Sequence, residues 1–226
     1  MKKLSILVPA FNEEKTIETI LKNLQIQDFR KKGFEKEIIV IDDGSKDKTS
    51  DIISKFDVKL LKHDKNRGKG AAIKTGLKHC SGDYILIQDA DLEYDPKDIP
   101  KLLKEVEMGY KVVYGSRFKG KIENMSKLHY FGNKFLSFVT RLLYKTDITD
   151  LESCYKLFQK DIIDSISLNS ERFGFEPEIT AKILKKNIEI KEVPIKYKGR
   201  EKEEKKISWK DGLQCFEILV KYRLAG

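Results

Sequence analysis

Cysteine is scarce in this chain. Cys80, Cys154 and Cys215 form an odd set with no CxxC pair and no metal-site spacing, which excludes a disulfide framework and a cysteine-built zinc site. They read as reduced thiols, packed as small apolar residues in a cytosolic protein. The three histidines, His63, His79 and His129, form no spaced cluster either. No apolar run approaches the about 20 residues needed to cross a bilayer. Met1-Lys2-Lys3 leads directly into a short strand-like run rather than a signal peptide, which argues against export. The turn after the first apolar run lacks GxGxxG, which disfavours an NAD enzyme. Asn66-Arg67-Gly68-Lys69-Gly70 fails the P-loop spacing, with Gly70 in place of the metal-binding hydroxyl. No zinc-finger, RNP or basic-zipper pattern occurs, so nucleic acid is not the expected partner.

What the chain has in quantity is charge. Lys and Arg number 45 against 36 Asp and Glu, a formal net charge of +9. Such a balance suits a polyanionic partner: nucleotide phosphates, anionic lipid or nucleic acid. A length of 226 residues with 40% hydrophobic content allows one sizeable core.

The first half alternates short apolar strands with amphipathic helices. Strand-like runs fall at Leu4–Val8, Glu37–Ile41, Val58–Leu61, Tyr84–Ile87 and Lys111–Tyr114. Helical patterns lie between them at Glu13–Leu24, Lys48–Phe56, Gly70–His79 and Pro96–Met108. This alternation predicts an α/β fold with a mostly parallel central sheet flanked by helices. Ligands in such sheets bind beyond the carboxyl ends of the strands. The polar clusters fall there: Pro9-Ala10-Phe11-Asn12-Glu13, Asp42-Asp43-Gly44-Ser45 and Asp89-Ala90-Asp91. Further on, Leu128–Tyr144 mixes large apolar residues with Lys and Arg. Ile188–Tyr197 reads as a strand, 198–206 as a charged loop and Trp209–Arg223 as a helix.

Side chains alternate along a strand, so Asp89, Asp91 and Glu93 point the same way if the extended geometry persists beyond Ile87. Three carboxylates together repel one another unless a cation sits among them, and hard oxygen ligands suit magnesium or manganese. The competing reading is a solvated acidic turn. Asp42 at its strand end can accept hydrogen bonds from a ribose or a base, or cap an Asx turn. The Asn66–Gly70 segment precedes a helix N-terminus, which favours an anion. Arg117 at another strand end can clamp a phosphate in bidentate fashion, or form a surface ion pair.

The motifs occur in a fixed order: P-A-F-N-E, I-I-V-I-D-D-G-S, N-R-G-K-G, G-D-Y-I-L-I-Q-D-A-D-L-E, V-V-Y-G-S-R, D-L-E-S-C-Y, E-V-P-I-K-Y-K-G-R and K-I-S-W-K-D-G. Taken together this resembles the family 2 glycosyltransferases of GT-A fold, nearest to the dolichol-phosphate mannose synthase-like group, over nearly the whole chain. The resemblance implies one domain over 1–226, with a nucleotide-sugar-binding half (1–117) and an acceptor-side half (118–226). It implies that Pro9, Phe11, Glu13, Val40 and Asp42 surround the donor nucleoside. Asp89, Ala90 and Asp91 would lie along the sugar and diphosphate, and Asp89, Asp91 and Glu93 would hold Mg2+ or Mn2+. Arg117, Arg200 and Lys206 match positions that contact phosphates; Lys69 is added on physical grounds. Asp91 and Arg117 are the expected catalytic pair.

The implied reaction moves a hexose, with inversion, from GDP-mannose or UDP-glucose to a polyprenyl phosphate. The alternative acceptor is a glycan or protein hydroxyl, which requires a base, with Asp150 or Glu178 as candidates. A non-catalytic basic binding module is the remote alternative. Two departures from the family pattern stand out. Glu93 replaces a frequent Gln, and Cys154 replaces a frequent Gly, which predicts strain if that turn needs a positive φ. A lipid acceptor implies transient contact with the cytoplasmic leaflet, or an anchor supplied by a separate membrane partner. We nevertheless read the apolar residues of Leu128–Tyr144 and Trp209–Arg223 as core, with their cations snorkelling at its edge.

Overall fold

A computed structural model describes residues 1–172, 174–200 and 209–224. The chain runs β1 (Lys2–Ala10), α1 (Ile17–Ile26), β2 (Phe34–Asp42), α2 (Thr49–Ile53), β3 (Lys59–Lys62), α3 (Lys69–Leu77), β4 (Tyr84–Ile87), α4 (Ile99–Glu107), β5 (Val112–Glu123), α5 (Lys127–Tyr144), β6 (Lys156–Gln159), α6 (Lys160–Asp164), α7 (Phe175–Lys185), β7 (Lys191–Lys198) and α8 (Trp209–Leu224). The strands form one seven-stranded sheet in the order β3-β2-β1-β4-β6-β5-β7. β1 pairs in parallel with β2 and β4, β2 with β3, and β5 with β7; β6 runs antiparallel to β4 and β5.

This is the α/β sheet expected from the strand–helix alternation. Tyr84-Ile85-Leu86-Ile87 of β4 is buried throughout, as a strand covered on both faces must be. α1 turns Ile17, Ile20, Leu21 and Leu24 inward, a spacing that lines one face of a helix. α3 packs closely because its inner face is small. A Cβ at Gly76 would lie 2.8 Å from Ile41 Cδ1 and 3.1 Å from Leu7 Cδ2. That tight seat brings the start of α3, and with it Lys69, up to the strand ends.

Three differences from the sequence reading bear on the site. β5 continues to Glu123, beyond the expected end at Tyr114, and β6, α6 and α7 occupy a stretch with no assigned elements. Cys154 is absent from the residues with positive φ, so the expected strain at that turn does not arise. The expected core role of the Leu128–Tyr144 apolar residues holds for only part of the helix. Leu136 and Val139 pack in a second core cluster with Ile148, Leu151, Cys215 and Leu219. Leu128, Phe131, Phe135, Phe138 and Leu142 are exposed, at 56% or more of their surface. The helix carries apolar side chains on opposite faces, and the core covers only one of them.

Candidate active site

The parallel strands end on one rim of the sheet, and their loops are tied to one another there. Asn12 adopts φ +53°. Its N–H donates to Ser45 Oγ (3.0 Å) and its Oδ1 accepts the Lys46 N–H (2.9 Å), which joins the β1 and β2 loops. Asp42 accepts the Ser45 N–H at 2.9 Å, a bond to the residue three positions on rather than the two-residue Asx turn read from Asp43-Gly44. The neighbouring Asp43 organises the next loop. It accepts His63 Nδ1 (2.6 Å) and the N–H groups of Arg67 (3.0 Å) and Gly68 (2.7 Å), which sets Lys69 at the helix start. Gly68 needs its freedom: φ is +99°, and a Cβ would lie 2.5 Å from Glu171 O. The sequence reading gave Asp43 and His63 no separate role, since their 20-residue separation leaves no local signal.

Beyond β4 the chain turns instead of extending, with Leu92 at φ +30°. The three acidic side chains therefore diverge from the arrangement expected of an extended strand. Asp91 and Glu93 converge on Arg200: Asp91 Oδ2 lies 2.6 Å from Nη2 and Glu93 Oε1 3.6 Å from Nε, while Glu13 Oε1 lies 3.1 Å from Nη1. Asp89 faces the other way, 2.9 Å from Lys69 Nζ, and Lys69 reaches on to Glu176 Oε1 at 2.9 Å. Among the described residues no group of three or more acidic, His or Cys side chains is placed to hold a metal. The donor chemistry at Asp91 and Glu93 nonetheless fits a hard cation. Burial pushes the Asp91 carboxyl well up, and the charges of Asp89 and Glu93 push it further, against Arg200. A carboxylate in that position is stabilised only by positive charge close by. Arg200 supplies it. Burial works against the Arg200 charge, but Asp91, Glu13 and Glu93 raise its pKa all the same.

β7 delivers Arg200 to this point. Lys198 N–H donates to Glu93 O (3.0 Å), Tyr197 bridges Tyr94, and the Arg200 N–H donates to Glu93 Oε1 (3.2 Å). A cleft of about 370 Å³ opens beside Glu93, lined by Tyr94, Lys97, Lys121, Lys196 and Lys198.

Arg117 is not a free clamp. Its Nε and Nη2 donate to the two Asp150 carboxylate oxygens (2.8 and 2.7 Å), and its backbone N–H donates to Asp150 Oδ2 (2.8 Å). The guanidinium lies against the rings of Phe118 and Tyr197. Asp150 is itself held through its N–H on Glu192 (3.0 Å). Glu178, the other candidate base, accepts from Asn169, Ser170, Lys182 and Tyr222. Both carboxylates are fully engaged in structure. Lys156, unnoticed in sequence, is wholly buried and donates to the carbonyls of Leu151 (2.8 Å) and Ser153 (2.6 Å), bracing the turn that carries Cys154.

Of the remaining expected site residues, Pro9 and Phe11 are half-buried on the β1 rim. Val40 is inside the core, opposite Val8 in the sheet, and Ala90 is buried. Lys206 lies outside the described residues.

The family model for glycosyl transferase family 2 matches residues 5–167 of this chain. The chain belongs to glycosyl transferase family 2. A dolichol-phosphate mannosyltransferase of Pyrococcus furiosus is 31% identical over 225 residues, covering 96% of this chain and 62% of that protein. A UDP-N-acetylglucosamine–dolichyl-phosphate N-acetylglucosaminyltransferase of Methanococcus voltae is 33% identical over 220 residues, covering 86% and 85%. Glucosyl-3-phosphoglycerate synthase of Mycobacterium tuberculosis in complex with UDP superposes with a TM-score of 0.79 at 18% identity, covering 98% of this chain and 80% of that one. This family 2 glycosyltransferase thus has the GT-A architecture expected from its ordered motifs, and its strand-end carboxylates sit at the rim where such sheets take their ligands.

Proposed function

We propose that this glycosyltransferase moves a neutral hexose, mannose or glucose, from GDP-mannose or UDP-glucose to a polyprenyl phosphate at a membrane surface. One observation carries the lipid part: the uncovered face of α5. Leu128, Phe131, Phe135, Phe138 and Leu142 form an exposed stripe, and 127–146 contains Lys and Arg but no Asp or Glu. A helix of that composition suits the interface of an anionic leaflet. The stripe starts close to the site, since Tyr130 packs edge-on against Phe118, the residue after Arg117. No described helix is long and apolar enough to cross a membrane, so contact through such a face would be peripheral. The dolichyl-phosphate acceptors in the names of the two relatives support the same acceptor class.

In this reading Pro9, Phe11, Glu13 and Asp42 border the nucleoside, with Val40 shaping the floor beneath, and Ala90 lies along the sugar and diphosphate. Asp91 and Glu93 would hold Mg2+ or Mn2+, with Asp89 beside them, and the Mycobacterium tuberculosis structures that contain Mn2+ or Mg2+ with UDP support a divalent ion. When bound, the ion supplies charge that stabilises the departing diphosphate. Arg200 would hold phosphate once it leaves the carboxylates, and the family resemblance gives Lys206 the same role. A phosphate oxygen of the lipid attacks the anomeric carbon as the bond to the nucleoside diphosphate breaks. That oxygen is already ionised near neutral pH, so the step needs no protein base. The engagement of Asp150 and Glu178 favours this acceptor over a hydroxyl. The test is Mn2+-dependent release of GDP from GDP-mannose or UDP from UDP-glucose, with and without polyprenyl phosphate in anionic vesicles. Lipid-stimulated turnover is expected; turnover with glycan hydroxyls alone would reverse the acceptor assignment.

A further inference from the structure

Four buried side-chain polar atoms among the described residues lack a hydrogen-bond partner: Ser50 Oγ, Glu152 Oε1, Ser153 Oγ and Glu176 Oε2. Three of these belong to the turn before β6 and the first turn of α7. Orphaned buried oxygens are rare because they lose water without gaining a replacement, so a cluster of them calls for an occupant. Glu176 has a side chain only 6% exposed, and its second oxygen is held by Lys69, which in turn holds Asp89. The chain of contacts Asp89–Lys69–Glu176 therefore leads from the carboxylates at the strand end to the orphan oxygen. Glu152 feels the charge of Glu176, so the two carboxyls are neighbours.

We infer that Glu152 and Glu176 form the hydroxyl-reading floor of the donor-sugar subsite and select a neutral hexose. This rests on the nucleotide-sugar reading above. The Glu176 carboxylate, paired with the Lys69 ammonium, only accepts hydrogen bonds, so its natural ligand is an O–H donor. The Glu152 carboxyl, pushed up to about 7 by burial and by Glu176, accepts or donates near neutral pH. A phosphate brings no donor and the wrong charge. A metal ion is disfavoured at this spot because the Lys69 ammonium already lies between Asp89 and Glu176. A uronic acid would place a third carboxylate beside the pair. Vicinal hydroxyls of an uncharged hexose meet both requirements.

The test is titration calorimetry with Mn2+ present, using UDP, UDP-glucose, GDP and GDP-mannose against the wild type, Glu176→Gln and Glu152→Gln. For the base that the wild type binds, the free diphosphate should keep its affinity within about twofold in both variants. The matching nucleotide sugar should weaken about tenfold or more, the loss expected for one charge-assisted hydrogen bond. Glu152→Gln leaves the Lys69–Glu176 pair intact, so it remains informative if Glu176→Gln melts early. Equal weakening of diphosphate and nucleotide sugar, or no weakening of either, overturns the inference and leaves the donor reading standing. A wild type that binds none of the four overturns the nucleotide-sugar reading itself, and the inference with it.

Discussion

Replacing Arg200 with Ala tests whether this guanidinium stands in for a divalent cation. The side chain is 20% exposed and contacts Asp91, whose side chain is 8% exposed, at 2.6 Å and Glu13 at 3.1 Å. Removing one partner of a buried pair costs about 3–5 kcal/mol, because the other charge is left uncompensated. The partial exposure of Arg200 brings the expected loss down to about 2–3 kcal/mol. For a chain of this size that is a fall in Tm of roughly 5–10 °C. Manganese should then act more strongly on the variant. In the wild type the ion must first displace Arg200, so its affinity for the metal alone should be weaker by the same 2–3 kcal/mol, roughly 30- to 150-fold. Thermal melts at pH 7.5 with and without MnCl2, paired with calorimetric titration of the metal, read both quantities. A variant that melts within a degree of the wild type and binds Mn2+ no more tightly would refute the reasoning.

Other perturbations address separate parts of the structure. Asp150→Ala removes the carboxylate that pairs both Nε and Nη2 of the buried Arg117, and should lower stability by about 3–5 kcal/mol in urea melts; a loss under 1 kcal/mol would show that the pair is not a structural clamp. Burial opposes the charge of Glu178, but hydrogen bonds led by Lys182 outweigh it and hold the carboxyl down to about 2, against an ordinary 4.5. Its stabilisation, on the order of 2 kcal/mol, should be complete above pH 4.5 and fade toward pH 2, so the Tm gap between wild type and Glu178→Gln should close over that window. Glu152 has the opposite sign: burial, then Glu176, pushes its carboxyl up from 4.5 to about 7, so the fold loses stability as pH rises between those values. Glu152→Gln should accordingly raise Tm at pH 8 and leave it unchanged near pH 4.5. Phe135→Ser with Phe138→Ser should weaken sedimentation with phosphatidylserine vesicles at least tenfold without lowering Tm, since both rings are more than half exposed.

The parallel half of the sheet was legible because its strands are short, β-branched and apolar, and its helices keep one clean inward stripe. The later elements hide their period. Lys156 breaks the apolar pattern of β6, yet it is wholly buried and donates hydrogen bonds to turn carbonyls rather than facing water. Glu176, Pro177 and Glu178 open α7 with residues that carry no apolar helical stripe, and all three are buried. α5 misled in the opposite direction. Periodicity reports that a residue is apolar, not which of two apolar faces finds a partner. Strand-end placement pointed correctly to the rim at Asp42 and Asp89–Glu93. The pairings formed there were not readable, because Arg200 and Asp91 stand 109 residues apart and Arg117 and Asp150 33 apart.

Those pairings bear on what the site will accept. Three cations expected to meet phosphate are each matched to internal carboxylates: Lys69 to Asp89 and Glu176, Arg117 to Asp150, and Arg200 to Glu13, Asp91 and Glu93. An incoming anion that drew Arg200 away would leave Asp91 buried without a counter-charge, and the cost of that would offset most of the new contact. A metal ion arriving alone would satisfy Asp91 and Glu93 but release Arg200 with no acceptor. A diphosphate that carries its metal supplies both halves at once, a cation for the carboxylates and an anion for the arginine. In the proposed reading the internal ion pairs would therefore act as a filter. Nucleic acid or bare phosphate can satisfy only one side of the exchange, despite the net charge of +9 that attracts them. The same exchange would make metal and nucleotide affinities mutually dependent, since each ligand removes the penalty that the other would otherwise meet.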